Sequence, residues 1–198
     1  YQKSQSGQSP FGFVKEHGFW HSAFIMFFYL CVEASVMGWM VTYYTDSGVV
    51  KADSAQMLTS LLWITILIGR FACSALAGRM SSRKIILVLC SGIVIFLAVL
   101  LLSNSLIPML VGTIGLGLSL SGMYGTTVAN AGDVFGRYPL AMGVFITVTN
   151  LGSVITPSIV GGIAESFDIR MGMAVLLVPA LIDFVLAVLN HPTTKSTQ

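Results

Sequence analysis

The sequence predicts an all-α integral membrane protein, a bundle of six transmembrane helices built from two inverted three-helix repeats. Three observations carry that fold class. The 198-residue chain is 55% hydrophobic and only 9% charged, whereas a soluble domain typically covers its surface with about 25% charged residues. Six apolar segments recur, each near the roughly 20 residues that cross a hydrocarbon core. The connectors between them (TDSGVVKADS, GRMSSRK, SNS, NAGDVFGRYP and ESFDIR) collect the charges and helix breakers. A mean hydropathy of +0.86 agrees with a bilayer as the solvent. The net charge of +2 is small and scattered, which argues against a nucleic-acid partner. Cys31, Cys73 and Cys90 all lie in apolar stretches, are odd in number and lack ligand spacing. They read as reduced packing residues, with no metal or cofactor expected.

Residues 1–14 form a polar linker, 15–190 the membrane domain and 191–198 a tail. The chain opens with YQKSQSGQSP and begins at Tyr1 rather than Met, so it reads as an excerpt from a longer polypeptide. The first helix is predicted at Phe19–Tyr44, with the amphipathic rings of Trp20 and Tyr44 near its two interfaces. Glu33 lies deep within it, and no Lys or Arg of that helix is close enough to pair. An ionisable group at that depth costs roughly 2.5–3.5 kcal/mol on insertion scales, so it should face the bundle interior or water. A carboxyl so placed is a candidate proton carrier; the bland alternative is a protonated Glu bonded to a neighbouring helix. At about 100° per residue, Tyr29, Met37, Met40 and Tyr44 share its face. Trp39 stands to one side, next to Gly38, where the helix is expected to bend or unwind. Aromatic rings beside a carboxylate suit a polyhydroxylated or cationic solute, although any single ring also packs without one.

The second helix is predicted at Ala55–Ala77 and carries Arg70 towards its end. The third, Ile85–Leu102, is almost uniformly aliphatic, and the short SNS connector forces it antiparallel to the fourth, Leu106–Ala129. There Gly115, Ser119, Gly122 and Thr126 form one small-residue stripe, which allows close helix contact. Tyr124 and Asn130 add polar reach. The fifth helix, Leu140–Ala164, carries Thr147, Asn150 and Pro157 on one side. Asn150 needs a partner inside the bundle, either another helix or a solute, and Pro157 promotes a kink. The sixth, Met171–Leu189, departs from an oily pattern at Pro179 and Asp183, and nothing in the sequence assigns Asp183 a role.

Polar, intermediate and oily helices recur in that order in both halves, and an odd-length repeat inverts in the membrane. With the N-terminus inside, Lys3, Lys15, Arg70, Arg79, Arg83, Lys84, Arg137 and Lys195 fall on the inner side and only Lys51 and Arg170 on the outer. That asymmetry puts both termini in the cytoplasm, at a cell or inner membrane. An enzyme is not expected. The run GLSLSG invites comparison with rhomboid proteases, but Ser119 replaces a motif glycine and His17, His21 and His191 all lie at or beyond the helix ends. An aquaporin-like channel would need paired half-helix loops, which VANAGD does not supply.

The loop after the second helix, SALAGRMSSRKIIL, resembles a worn copy of the major facilitator superfamily's signature G-x-L-A-D-R-x-G-R-R. Ser74 stands at the first glycine, Leu76 and Ala77 match, Gly78 replaces the acid, and Arg79 and Arg83 hold basic positions. Ser81 and Ser82 replace the second glycine and an arginine. NLGSVITPSIVGGIAE resembles the superfamily's eleventh helix, and YLCVEASVMGW resembles the seventh helix of its fucose-permease-like sugar transporters. The resemblance implies helices seven to twelve, the C-terminal half of a twelve-helix secondary transporter whose N-terminal six-helix half is the partner. It implies a small-molecule solute, a sugar in that subgroup, moved by alternating access with a proton or sodium ion. Glu33, Tyr29, Trp39, Tyr124, Thr147 and Asn150 are then the substrate or coupling candidates, and Arg70, Arg79, Arg83 and Asp133 the gating group. The third and sixth helices would face lipid, and the first, second, fourth and fifth would line the path. An efflux antiporter of the same superfamily and a non-transporting membrane scaffold are the alternative readings.

Overall fold

A computed structural model describes residues 11–190; the first ten residues of the linker and the tail 191–198 lie outside the described residues. A 3-10 turn, Gly12–Lys15, leads into α1 (His17–Asp46), which is followed by α2 (Ala52–Ala77) and α3 (Ser82–Leu102). The fourth span is divided into α4 (Leu106–Leu120) and α5 (Met123–Asn130), and the short α6 (Gly132–Arg137) leads to α7 (Pro139–Ser166). The sixth span is divided into α8 (Ile169–Ala174) and α9 (Leu177–Leu189). Among the described residues, six helical spans are long and apolar enough to cross a membrane, and each begins and ends within three residues of the sequence reading. Most of the added residues are polar, such as Ser82, Arg83 and Lys84 in α3. Hydropathy marks where the chain meets hydrocarbon, whereas backbone hydrogen bonding carries the helix past that boundary.

The bundle's pairing follows the two repeats. α1 packs along α7 and along α9, while the fourth span packs along α2 and along α3. Replacing each span by the one three places later exchanges these contacts with each other and maps the α3–α9 contact onto itself. Small residues set the closeness of the seams. A Cβ on Gly152 of α7 would stand 2.6 Å from the Phe27 carbonyl oxygen on α1, and one on Gly112 of α4 would stand 3.0 Å from the Leu100 backbone on α3. The predicted stripe on the fourth span lies on this seam, with Gly115 against Phe96 and Ser119 against Gly92. A second stripe faces α2, where Gly117 meets Thr65 and Ser121 meets Gly69. Small residues on two sides let the fourth span sit deepest: 61% of an apolar 18-residue stretch of it is buried, against 22% for that of α2 and 28% for that of α7. The least covered helices are therefore α2 and α7, not the oiliest ones.

Two spans are interrupted, and neither interruption is where the sequence placed its bend. α1 runs unbroken through Gly38, whose side-chain position is open. The fourth span instead breaks at Ser121–Gly122. Glycine tolerates the irregular backbone, and the Ser121 hydroxyl donates to Leu118 O at 2.7 Å, competing with the helical bonds. In the sixth span Pro179 has no N–H for the Val175 carbonyl, which accepts from Val178 N at 3.0 Å instead. α7, by contrast, is continuous through Pro157. α6 arises in a connector read as irregular, with Asp133 in its first turn and Arg137 in its last, each complementing the helix dipole.

Candidate functional site

Among the described residues, cavities open between the helices towards both ends of the bundle. The first, about 560 Å³, lies towards the face that carries the α2–α3 turn and α6. α1 contributes Tyr29 and Glu33, α2 contributes Arg70, Cys73 and Ser74, and the broken fourth span contributes Ser121, Gly122, Tyr124 and Thr126. Ser82 and Ile85 of α3 close its end. The break at Ser121–Gly122 thus forms a wall of the cavity. The buried Tyr29 hydroxyl donates to the Leu120 carbonyl oxygen at 2.6 Å, capping a backbone group that the break leaves without a helical partner. Broken helices that line a polar cavity recur in transporters for this reason.

Glu33 is half-buried. It lines the cavity with Tyr29, one helical turn before it on α1, and with Arg70 of α2. The two charged groups do not close into an ion pair; among the described residues that contact is made by Arg137 and Glu16, at 3.2 Å. Arg70 is exposed within the second span and lines the cavity. This differs from the sequence reading, which grouped it with the gating loop. The signal was available: like Glu33, it is an ionisable residue inside an apolar run, LLWITILIGRFACSALA. Cys73 was read as packing, yet it also lines this cavity, half-buried and free, with its Sγ 3.8 Å from Ser121 Oγ. The Ser121–Gly122 break was likewise missed, although SG amid hydroxyls was a visible cue.

The other candidates separate. Tyr124 joins Glu33 in the cavity. Trp39 lines the second cavity, about 760 Å³ and towards the opposite face, and its indole N–H donates to Pro157 O at 3.0 Å. Thr147 and Asn150 reach neither cavity: both are exposed on α7 and bond back to their own helix, to Gly143 O at 2.9 Å and Ile146 O at 2.8 Å. The partner expected for Asn150 on another helix is therefore replaced by a carbonyl one turn away. Arg79 and Asp133 are exposed at the connectors, and Arg83 donates to Val188 O at 3.4 Å. Asp183, unassigned from sequence, is buried against α3, where Oδ2 accepts from the Cys90 thiol at 3.5 Å and Oδ1 has no hydrogen-bond partner among the described residues. No group of three or more His, Cys, Asp and Glu able to hold a metal ion occurs among the described residues.

Among the described residues, six apolar spans in two three-helix repeats define a multi-pass membrane bundle. The chain belongs to the Major Facilitator Superfamily, whose profile matches residues 22–198. It is similar to major facilitator superfamily domain-containing protein 4A of several vertebrates. The mouse protein is 32% identical over 114 residues, which cover 57% of this chain and 22% of that protein. The Xenopus tropicalis protein is 26% identical over 167 residues, covering 83% of this chain and 33% of that protein. In Danio rerio the identity is 26% over 144 residues, 72% of this chain and 27% of the relative. The chain therefore spans a third or less of these relatives' length.

Proposed function

We propose that the chain is the C-terminal six-helix half of a secondary active transporter, which moves a small polar solute by alternating access against an N-terminal half. The observation that carries this reading is the meeting of Glu33, Tyr29, Arg70 and Tyr124 in one cavity at a helix break. A cavity of a few hundred Å³ with a small number of convergent polar groups suits a small solute. Glu33 is the coupling residue, taking a proton or holding a sodium ion. The low burial of α2 and α7 supports the partner half, because both helices present long uncovered faces. The basic loops support a cytoplasmic side for both termini. The first helix's resemblance to fucose-permease-like transporters favours a sugar-sized cargo.

The test is uptake by the complete protein in vesicles, screened over solutes with and without imposed proton and sodium gradients. Gradient-driven accumulation is expected, and Glu33→Gln is expected to reduce it at least tenfold while leaving the protein folded and inserted. Gradient-dependent accumulation that Glu33→Gln leaves unchanged would remove Glu33 from the mechanism. Accumulation of no solute under any gradient would favour the scaffold reading.

A further inference from the structure

The Arg70 guanidinium carries five N–H donors on a fixed positive charge. It is exposed to the cavity within a membrane span and makes no hydrogen bond or ion pair with the described residues. A charge at that depth requires a partner or water. Glu33 is the carboxylate that shares its cavity, and the two do not form an ion pair. The groups around that space are otherwise neutral: Tyr29 on α1, Cys73 on α2 and Tyr124 on α5. Asp183 on α9 does not line that space and accepts from the Cys90 thiol of α3, and the charged residue of α7, Glu165, lies at its far end, in the other cavity.

Two arrangements satisfy this charge pair. With Glu33 ionised, carboxylate and guanidinium balance each other across the cavity. With a proton on Glu33, that balance is lost and Arg70 is free to hold an anion. Resting on the transporter reading above, we propose that the substrates are small hydroxylated monocarboxylates, each carried together with one proton. Arg70 binds the solute carboxylate through paired N–H donors, the bidentate geometry that guanidinium favours. Tyr124 and the hydroxyls of Ser74, Ser82 and Thr126 face its hydroxyl groups. One proton taken up by Glu33 and one carboxylate bound by Arg70 leave the cavity's net charge unchanged, so the translocated cargo is electroneutral.

Cys73 provides the reporter, because it lines the same cavity while Cys31 and Cys90 are buried. The complete protein in vesicles would be treated with a maleimide in the presence of matched acid and neutral solutes: glucuronate against glucose, gluconate against sorbitol, lactate against 1,2-propanediol. Labelling would be read by mass spectrometry on the peptide containing Cys73. The acid of at least one pair should slow labelling while its neutral partner does not. Arg70→Gln should weaken that protection at least tenfold and Arg70→Lys less so. Glu33→Gln should retain protection but lose the dependence of uptake on a proton gradient. Neutral partners that protect as well as the acids, acids that protect in none of the pairs, or acid protection that survives in Arg70→Gln would each overturn the proposal. If neutral solutes accumulate and acids do not protect, the anion site fails and the transporter stands. If acids protect through Arg70 but no solute accumulates, the anion site stands and transport fails. Arg70→Gln and Arg70→Lys proteins that are both misfolded, by size exclusion in detergent, would make Arg70 a structural residue and likewise overturn the proposal.

Discussion

Gly152 and Gly38 are both glycines in long membrane helices, yet only one of them is needed for packing. At Gly152 a methyl group would meet the Phe27 carbonyl oxygen at 2.6 Å and the Cys31 sulfur at 2.8 Å. Neither a helical backbone nor a buried thiol can retreat without moving α1 away from α7. Gly152→Ala is therefore expected to destabilise the bundle by about 1–3 kcal/mol, the usual cost of overpacking. At Gly38 nothing lies within 4 Å, so Gly38→Ala replaces a poor helix former without a clash. That substitution is expected to be neutral or to stabilise by up to about 1 kcal/mol. Unfolding of the two variants in mixed detergent and SDS compares them directly. A Gly38→Ala protein that unfolds as readily as Gly152→Ala would restore the bend that the sequence suggested in α1.

At the scale of elements, the spans themselves were legible and their interruptions were not. Length and hydropathy locate a membrane helix because the bilayer imposes both, which is why Phe19–Tyr44 and α1 agree to within two residues at each end. A glycine or proline marks only where a break is tolerated, and tertiary partners decide whether it occurs. Gly38 and Pro157 sit in continuous helices, whereas Gly122 and Pro179 accompany breaks. The same division holds for the site. Glu33, Tyr29 and Tyr124 were legible as polar groups at intramembrane positions, while Thr147 and Asn150 lie on the exposed side of α7, and periodicity does not say what that side faces. Pro179 allows a direct test. Pro179→Ala supplies the missing N–H, which is expected to bond Val175 O and extend α9 back into α8. Amide exchange at Leu176, Leu177 and Val178 is then expected to slow at least tenfold. Unchanged exchange there would locate the cause in packing of α8 against α7 rather than in the proline.

For the whole molecule, the distribution of charge is the argument for the proposed orientation, which the fold alone leaves open, since the bundle packs equally well either way up. Within the described chain, Arg79, Arg83 and Lys84 stand at the α2–α3 turn and Arg137 at the end of α6, all on one face. The opposite face carries Lys51 and Arg170, and Arg170 is held by Asn104 Oδ1 at 3.1 Å and Ser103 O at 2.7 Å. Each basic side chain near an anionic leaflet contributes about 1 kcal/mol, so the excess on the first face amounts to a few kcal/mol favouring the cytoplasm. Single cysteines at Ser81 and at Ser47 report the outcome, because both lie in connectors, at opposite ends of α2. In intact cells a membrane-impermeant maleimide is expected to label Ser47→Cys and to label Ser81→Cys only after permeabilisation. The reverse pattern would invert the bundle and place the Glu33–Arg70 cavity towards the outside. Equal labelling of both in intact cells would mean that the charge asymmetry is too weak to set a single topology.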